Sequence, residues 1–252
     1  MLRKPPKLAI WKFSSCDGCQ LSLLDCEDEL LAASNLVEIA YFPEATKAQG
    51  SGPYDISLVE GSITTEEEAT RIQEIRQKSR WLIAIGACAT AGGIQALRNF
   101  ASLEDYKNLV YAQPEAIHAL EKVRPLADLV KVDFSLRGCP ISKKQLLALF
   151  QHWFFGGRLF VTDQPLCAEC KRGLHRCLWV QGGQPCLGPV TQAGCEGLCP
   201  GHNRPCFGCY GPKPDANLPA LVHAWQERGI PQSQINQLLA GFTALDFLPE
   251  GP

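Results

Sequence analysis

Apolar residues in the first 160 positions recur in short runs that predict buried strands, separated by stretches with helical spacing. The predicted strands are Lys7–Phe13, Val37–Phe42, Asp55–Glu60, Trp81–Ile85 and Val130–Phe134. Strands that alternate with helices are typical of a mostly parallel, doubly wound sheet with helices on both faces. We therefore expect an α/β domain of flavodoxin-like type over residues 1–160.

Helical spacing follows three of these strands. The predicted helices run from Cys19 to about Ala33, from Thr65 to about Ser79, and onward from a cap at Ser142. The second begins with the capping sequence Thr65-Glu66-Glu67-Glu68. It places Ala69, Ile72 and Ile75 on one face, toward the expected core.

The pattern changes after residue 160. Between Cys167 and Cys209 large apolar residues are few, and glycine and proline interrupt the chain throughout. So few side chains bury too little surface to offset the entropy of ordering the segment, so we expect bound metal to supply folding free energy. Two short helices are predicted from Asn217, separated by Gly229-Ile230-Pro231. Residues 161–252 are thus expected to form a second, small, irregular domain.

Charge and composition exclude several classes of function. The 252 residues have a formal net charge of −2 without a basic stripe, which argues against a nucleic-acid partner. The apolar runs are too short to span a membrane, and the charged, proline-rich start is unlike a secretory signal. We expect a cytoplasmic protein, in which cysteines stay reduced and serve metal binding or catalysis rather than disulfides.

Four cysteines in the first domain follow predicted strands. Cys16 and Cys19 come after the first strand, Cys88 after the fourth and Cys139 after the fifth. Because the carboxyl ends of parallel strands meet at one edge of a sheet, these four thiols should converge in one crevice. A thioredoxin-like redox pair at Cys16 and Cys19 would not need the other two.

The second domain carries eight more cysteines: Cys167, Cys170, Cys177, Cys186, Cys195, Cys199, Cys206 and Cys209. Twelve thiols suit three clusters of the 4Fe–4S type, each held by four cysteines. Zinc is the alternative for the last eight, and His175 or His202 could replace a thiolate in either interpretation. Cys26 shares a helical face with Leu23 and Leu30 and is expected to pack as an apolar side chain.

In these motifs the chain resembles the small subunit of nickel–iron hydrogenases over about residues 7–212. The motifs are Ser15-Cys16-Asp17-Gly18-Cys19-Gln20, Glu60-Gly61-Ser62, Gly86-Ala87-Cys88-Ala89-Thr90-Ala91-Gly92-Gly93, Arg137-Gly138-Cys139-Pro140, Cys186-Leu187-Gly188-Pro189 and Pro205-Cys206-Phe207-Gly208-Cys209. Among these subunits the chain is most similar to the delta subunits of cytosolic NAD(P)-linked or sulfhydrogenase-type enzymes.

The resemblance implies three 4Fe–4S clusters and assigns a cysteine set to each. The proximal set is Cys16, Cys19, Cys88 and Cys139; the medial set is Cys195, Cys199, Cys206 and Cys209; the distal set is Cys167, Cys170, Cys177 and Cys186. The membrane-linked and periplasmic members of the family have histidine where Cys167 stands and proline near Cys199. The absence of a twin-arginine leader agrees with the cytosol.

The implied function is electron relay between a nickel–iron site in a separate large subunit and a flavin- and NAD(P)-binding diaphorase subunit. The resemblance leaves room for a further iron–sulfur subunit. We expect no catalytic residue in this chain. Four cations lie beside cysteine ligands: Arg137, Lys171, Arg172 and Arg176. Their positive charge should favour the reduced state of the clusters. The alternative is that they only keep the surface solvated. Glu60 is expected to make local hydrogen bonds; the alternatives are that it orients the proximal loop or helps protons to leave.

Three alternatives stay open at this point. The chain could serve a deazaflavin-linked or disulfide-reductase-linked hydrogenase. A quinone-reductase subunit shares the first half but does not need the eight later cysteines. A zinc-stabilised adaptor is the non-enzyme alternative.

Overall fold

A computed structural model of the chain describes residues 5–26, 28–29, 37–47, 49–156 and 162–248. The strands are β1 Lys7–Lys12, β2 Glu38–Tyr41, β3 Tyr54–Glu60, β4 Ser79–Ile85 and β5 Phe134–Leu136. The α-helices are α1 Gly18–Leu24, α2 Glu66–Lys78, α3 Gly86–Ala91, α4 Leu103–Val110, α5 Lys143–Phe155, α6 Leu166–Arg172, α7 Leu178–Gly182, α8 Leu198–Gly201, α9 Leu218–Glu227, α10 Gln232–Leu239 and α11 Ala244–Phe247. Short 3₁₀ helices cover Ile94–Phe100, Pro114–Ala116 and Leu126–Asp128.

The strands form one parallel sheet in the order β2-β1-β3-β4-β5. This is the order of flavodoxin-like sheets, so the predicted fold class is confirmed. Alternate residues of β1 serve two cores, with Leu8 and Ile10 on one face and Ala9 and Trp11 on the other. α1 and α5 cover the first face, and α2 covers the second.

The predicted fifth strand, Val130–Phe134, is wrong in its bounds, because β5 spans Phe134–Leu136. Asp133 explains the shift. Its amide donates to the carbonyl oxygen of Leu82 in β4 (2.9 Å), and its carboxylate accepts from the Leu82 amide (2.9 Å). A side chain thus takes the place of a ladder carbonyl, and Val130 and Val132 pack instead against the core on the α2 face.

Helix boundaries agree with the sequence where a cap is present. Thr65 caps α2 by accepting a hydrogen bond from the Glu68 amide (3.2 Å), as predicted. Ser142 stands at the N-cap of α5, although its side chain accepts no cap hydrogen bond. The first helix is shorter than predicted: α1 ends at Leu24 rather than near residue 33. Residues 30–36 lie outside the described part.

The cysteine-rich segment has an apolar core that the sequence analysis underestimated. Side chains of the segment, including Leu166, Leu187 and Val190, pack against Trp225 and Phe247 of the tail helices. The tail holds α9 and α10, as predicted, and in addition α11. Since the tail supplies the missing apolar surface, metal is not the only source of folding free energy for this segment.

No helix among the described residues has the length and apolar character needed to cross a membrane.

Candidate metal centres

The proximal set is assembled where β1, β4 and β5 end. The loop of Cys88 is joined to that of Cys139 by a hydrogen bond from the Ala87 amide to the Gly138 carbonyl (2.7 Å). Burial raises the pKa of Cys139 to about 11, and the neighbouring thiols of Cys88 and Cys16 contribute to the rise. Burial also raises the pKa of Cys19, with further contributions from Glu60 and the Cys139 and Cys88 thiols. The structure therefore brings all four residues together.

Two glycines with left-handed backbone leave room beside these thiols. A Cβ at Gly86 (φ +84°) would collide with Sγ of Cys19, and one at Gly93 (φ +67°) would lie 2.6 Å from Sγ of Cys88. Any other residue would be strained at both positions and would fill the space next to the sulfur atoms. A bulky group bound to the four thiols needs that space.

Glu60 holds the first turn of α1. Its carboxylate, 2% exposed, accepts hydrogen bonds from the amides of Cys19 (3.0 Å) and Gln20 (3.3 Å). Burial raises the pKa of Glu60, although these hydrogen bonds oppose the rise. These bonds join residues 41 and 40 positions apart in the sequence, so Glu60 orients the loop that carries Cys19 rather than making only local hydrogen bonds.

Gln95 joins two loops of the proximal set, and the sequence analysis missed it. Its side-chain amide donates to the carbonyl of Ser14 (2.7 Å), and its Oε1 accepts from the thiol of Cys88 (3.5 Å). The Ser14 hydroxyl in turn donates to Glu68 of α2 (3.0 Å). A glutamine eighty-one residues from its partner leaves no local signal in the sequence.

The distal set is also brought together. Burial raises the pKa of Cys167 to about 11, with contributions from the Cys186 and Cys177 thiols. It likewise raises the pKa of Cys170 to about 11, with Cys167 and Cys186 contributing. A Cβ at Gly188 would stand 3.4 Å from Sγ of both Cys167 and Cys186, so this glycine leaves room between them. Cys177 is the exposed member.

Three members of the medial set lie near one another. Burial raises the pKa of Cys209 to about 12, and the thiols of Cys195 and Cys199 contribute. Cys206 is the most deeply enclosed of this set: burial raises its pKa, and the thiols of Cys186 and Cys209 contribute to the rise. Its amide donates to Sγ of Cys186 (3.2 Å), so it stands between the medial and distal sets.

Contacts between the sets follow one order. The proximal and medial sets meet where the Cys139 amide lies against the Cys209 sulfur. The medial and distal sets meet where the Cys206 amide donates to Sγ of Cys186 (3.2 Å). The ring of buried Tyr210 lies against Gly138, next to Cys139 of the proximal set, and against Gly194, next to Cys195 of the medial set. The medial set therefore stands between the other two.

The remaining candidates have other roles. His175 lies with its ring against three glycines: Gly173, Gly197 and Gly201. Cys26 is fully buried in the same core as Leu23, so its predicted packing is confirmed.

The donor chemistry of the three sets fits 4Fe–4S clusters, which take four cysteine thiolates each. All thirteen cysteines are free thiols. Within the described residues, no group of three or more His, Cys, Asp or Glu side chains is arranged to hold a single metal ion. The fit rests on the number of thiols in each set and on the glycines that leave space beside them.

The chain is similar to known protein families and solved structures. The protein-family model described as "NADH ubiquinone oxidoreductase, 20 Kd subunit" matches residues 16–153. Sulfhydrogenase 2 subunit delta of Pyrococcus furiosus is 34% identical, covering 94% of this chain and 98% of that subunit. A vhu subunit of the F420-non-reducing hydrogenase of Methanocaldococcus jannaschii is 34% identical, over 86% of this chain and 85% of its own. A crystal structure of NAD+-reducing [NiFe]-hydrogenase in the H2-reduced state is 28% identical with a TM-score of 0.59, covering 63% of this chain and 96% of that one.

Fold and matches together define an oxidoreductase subunit of the hydrogenase class. The chain belongs to the family of nickel–iron hydrogenase small subunits. It shares nearly its whole length with the sulfhydrogenase delta subunit, including the cysteine-rich segment. The family model named for a quinone-reductase subunit ends at residue 153, so it leaves out the cysteine-rich segment that the chain shares with the sulfhydrogenase delta subunit.

Proposed function

We propose that this chain is the electron-relay subunit of a hydrogenase and holds three 4Fe–4S clusters in the order proximal, medial, distal. The carrying observation is the order of the three cysteine sets: the Cys206 amide of the medial set donates to Sγ of Cys186 in the distal set (3.2 Å), and the Cys139 amide of the proximal set lies against the Cys209 sulfur of the medial set. Bound 4Fe–4S clusters supply reversible one-electron storage. A row of three such sites suits the transport of electrons better than the binding of a substrate.

The residues of this chain hold, bury and orient each site. In the proximal set Glu60 fixes the amide of Cys19 and Gln95 ties the loop of Cys88 to Ser14. Burial raises the pKa of most of the thiols, so loading with iron should release protons as the thiolates form. Cys16 of the proximal set and Cys177 of the distal set are the exposed thiols, one at each end of the row. These two ends are where partners can come close.

The partners follow from the two ends of the row. We propose a nickel–iron large subunit next to the proximal set and a flavin- and NAD(P)-binding diaphorase, with or without a further iron–sulfur subunit, next to the distal set. More than a third of this chain has no counterpart in the NAD+-reducing structure, whereas the sulfhydrogenase subunit matches nearly all of it. The match over nearly the whole length favours partner subunits of the sulfhydrogenase type over those of the NAD+-reducing enzyme. A deazaflavin-linked or disulfide-reductase-linked hydrogenase is the second candidate; the coenzyme F420 hydrogenase gamma subunit of Methanococcus voltae, 30% identical over 68% of this chain, supports the deazaflavin-linked form.

The division into domains and the location in the cell are part of the same proposal. We place the boundary near residue 160, inside the undescribed residues 157–161, so that the proximal set belongs to the first domain. The medial and distal sets belong to the second, which shares its core with the tail helices. Thirteen free thiols suit the reducing cytoplasm.

Metal analysis tests the relay. Protein purified without oxygen should contain about twelve irons per chain and as much acid-labile sulfide, on four irons per cluster. A zinc-stabilised adaptor would instead be colourless and would contain zinc without labile sulfide. That result would reject the proposed function.

A further inference from the structure

Helix α6 ends in an unusual turn beside the distal set. The Leu174 amide donates to the Lys171 carbonyl (3.2 Å), and the His175 amide donates to the Cys170 carbonyl (2.9 Å). These two bonds define a Schellman motif, whose left-handed position is usually glycine. Here it is Leu174, with φ 54° and 92% of its side chain exposed. A bulky residue in strained backbone, held out into solvent, is a reason to look for a function.

The neighbouring residue fixes this turn in place. The imidazole of His175 points inward and packs against glycines from two segments: a Cβ would lie 2.6 Å from the ring at Gly173, 3.0 Å at Gly197 and 3.1 Å at Gly201. With His175 held inside, Leu174 is held outside. The exposed leucine is therefore presented by a defined turn rather than by a loose loop.

Positive charge surrounds Leu174. Lys171, Arg172 and Arg176 are all exposed, and none forms an ion pair with a carboxylate in the described part of the chain. Arg172 binds only the neutral side chain of Gln164 (2.9 Å). Three uncompensated cations in six residues contrast with the net charge of −2 of the whole chain. Lys171 and Arg172 also suit the carboxyl end of α6, but that role does not involve Arg176 or the leucine.

We propose that Lys171, Arg172, Leu174 and Arg176 form a docking surface for an acidic electron-carrier protein with an apolar socket for Leu174. The inference rests on the proposed relay and names the partner at its distal end. Exposed Cys177 lies three residues from Leu174, so a carrier seated on this surface is next to the distal set. One electron leaves the reduced distal site and enters the oxidised iron–sulfur or flavin group of the carrier, and hydrogen oxidised in the large subunit is the reductant.

Charge complementarity decides the sign of the charge on the partner's surface. A basic rim speeds encounter with an acidic surface and opposes a basic one, and the attraction weakens with salt. The apolar residue at the centre, excluded from water on docking, supplies affinity that salt does not weaken.

Binding is measured with the full chain, loaded with iron and sulfide, and a small acidic ferredoxin as the probe; basic cytochrome c is the opposite-charge probe. Two variants are compared with the wild type. The triple variant combines Lys171→Glu, Arg172→Glu and Arg176→Glu, and the single variant is Leu174→Asn. Asparagine accepts left-handed backbone, so Leu174→Asn should keep or raise the unfolding temperature while weakening ferredoxin binding. The control is Lys122→Glu, an exposed cation of the first domain.

We expect the triple variant to bind ferredoxin at least about tenfold more weakly at low salt, and wild-type binding to weaken as salt rises. Equal binding of ferredoxin by the wild type and the triple variant would overturn the docking surface. Tighter binding of cytochrome c than of ferredoxin by the wild type would overturn it as well. Hydrogen-dependent reduction of methyl viologen by the assembled complex should be the same in Leu174→Asn and in Lys122→Glu as in the wild type. If the wild-type complex did not reduce methyl viologen, the relay would be rejected. The ferredoxin-binding measurements would still test the docking surface.

Discussion

At the scale of single residues, Cys199 is the fourth thiol of the proposed medial site. It lies in α8, where burial raises its pKa and the thiols of Cys195 and Cys186 contribute to the rise. The family resemblance implies a proline near this position in the membrane-linked members, and so one thiol fewer. With Cys199 present, the medial set has the four thiols that a 4Fe–4S cluster needs.

Replacing Cys199 by proline should leave three thiols in the medial set. We expect a 3Fe–4S cluster there, visible as a new electron paramagnetic resonance signal of the oxidised protein, with proximal and distal signals unchanged. An unchanged oxidised spectrum would mean that Cys199 is a spare thiol and that His175 or His202 must be reconsidered as the ligand.

The matched control for this variant is Cys26→Ala. Cys26 is fully buried in the core between the sheet and α1, and its thiol donates to the Ser22 carbonyl (3.4 Å). Its replacement should lower the free energy of unfolding by about 1 kcal/mol and leave all cluster signals intact.

Gln95 allows a second test at this scale. Gln95→Leu removes the hydrogen bonds to the Ser14 carbonyl and the Cys88 sulfur, so the loops of Cys16 and Cys88 lose their link. We expect about 1 kcal/mol less stability and a changed resonance spectrum for the proximal cluster alone. Gln113→Leu, at an exposed position, serves as the control. A proximal spectrum identical to wild type would show that Gln95 does not shape this site.

At the scale of elements, Asp133 fixes where the edge strand β5 begins. Its carboxylate binds the amide of Leu82 in β4 and the guanidinium of Arg76 in α2. One side chain thus ties the sheet edge to the helix that covers it. Burial alone would raise the pKa of Asp133, but the hydrogen bonds from Leu82 and Arg76 outweigh it and hold the pKa below its usual value.

Asp133→Asn should lower the free energy of unfolding at neutral pH by about 1–3 kcal/mol. A carboxyl with a lowered folded pKa stabilises the fold above its unfolded pKa of about 3.9, and this contribution disappears as the pH falls through the folded value. Denaturant unfolding below about pH 5 should therefore show a smaller loss of stability in the variant than in the wild type. The exposed Glu121 provides the control, Glu121→Gln; equal pH profiles for Asp133→Asn and wild type would contradict the assigned role.

At the scale of the whole molecule, the two halves are joined around the site. Arg137, two residues before Cys139, donates to the carbonyls of Tyr210 (3.4 Å) and Pro212 (3.3 Å), and its guanidinium faces Asp246 of α11 at 3.8 Å. The loop after β5, the cysteine-rich segment and the tail therefore meet at Arg137, next to the proximal and medial sets. The sequence supplies a row of thiol sites but no motif for nickel, flavin or nucleotide.

The isolated chain should consequently neither consume hydrogen nor reduce NAD(P). Co-expression with a nickel–iron large subunit should give hydrogen-dependent dye reduction, and adding a flavin subunit should give NAD(P) reduction. The measurement is hydrogen uptake with each combination of subunits. Uptake by the chain alone would show that the catalytic centre has been assigned to the wrong subunit.

Local patterns in the sequence determined the strand and helix types and the cap at Thr65, because strand and helix periods and caps involve residues close together in the chain. The cysteines after strands one, four and five were also predictable, since the ends of parallel strands share an edge. The family resemblance of the motifs then agreed with the matched relatives.

Tertiary structure alone decided the rest. Four contacts pair residues that are far apart in sequence. They are those of Glu60 with the Cys19 amide, Gln95 between two loops, Tyr210 between two cysteine sets and Asp133 at the start of β5. The same holds for the core that the tail gives to the cysteine-rich segment. Such contacts leave no period or spacing in the sequence, because they form only when separate segments are packed against one another.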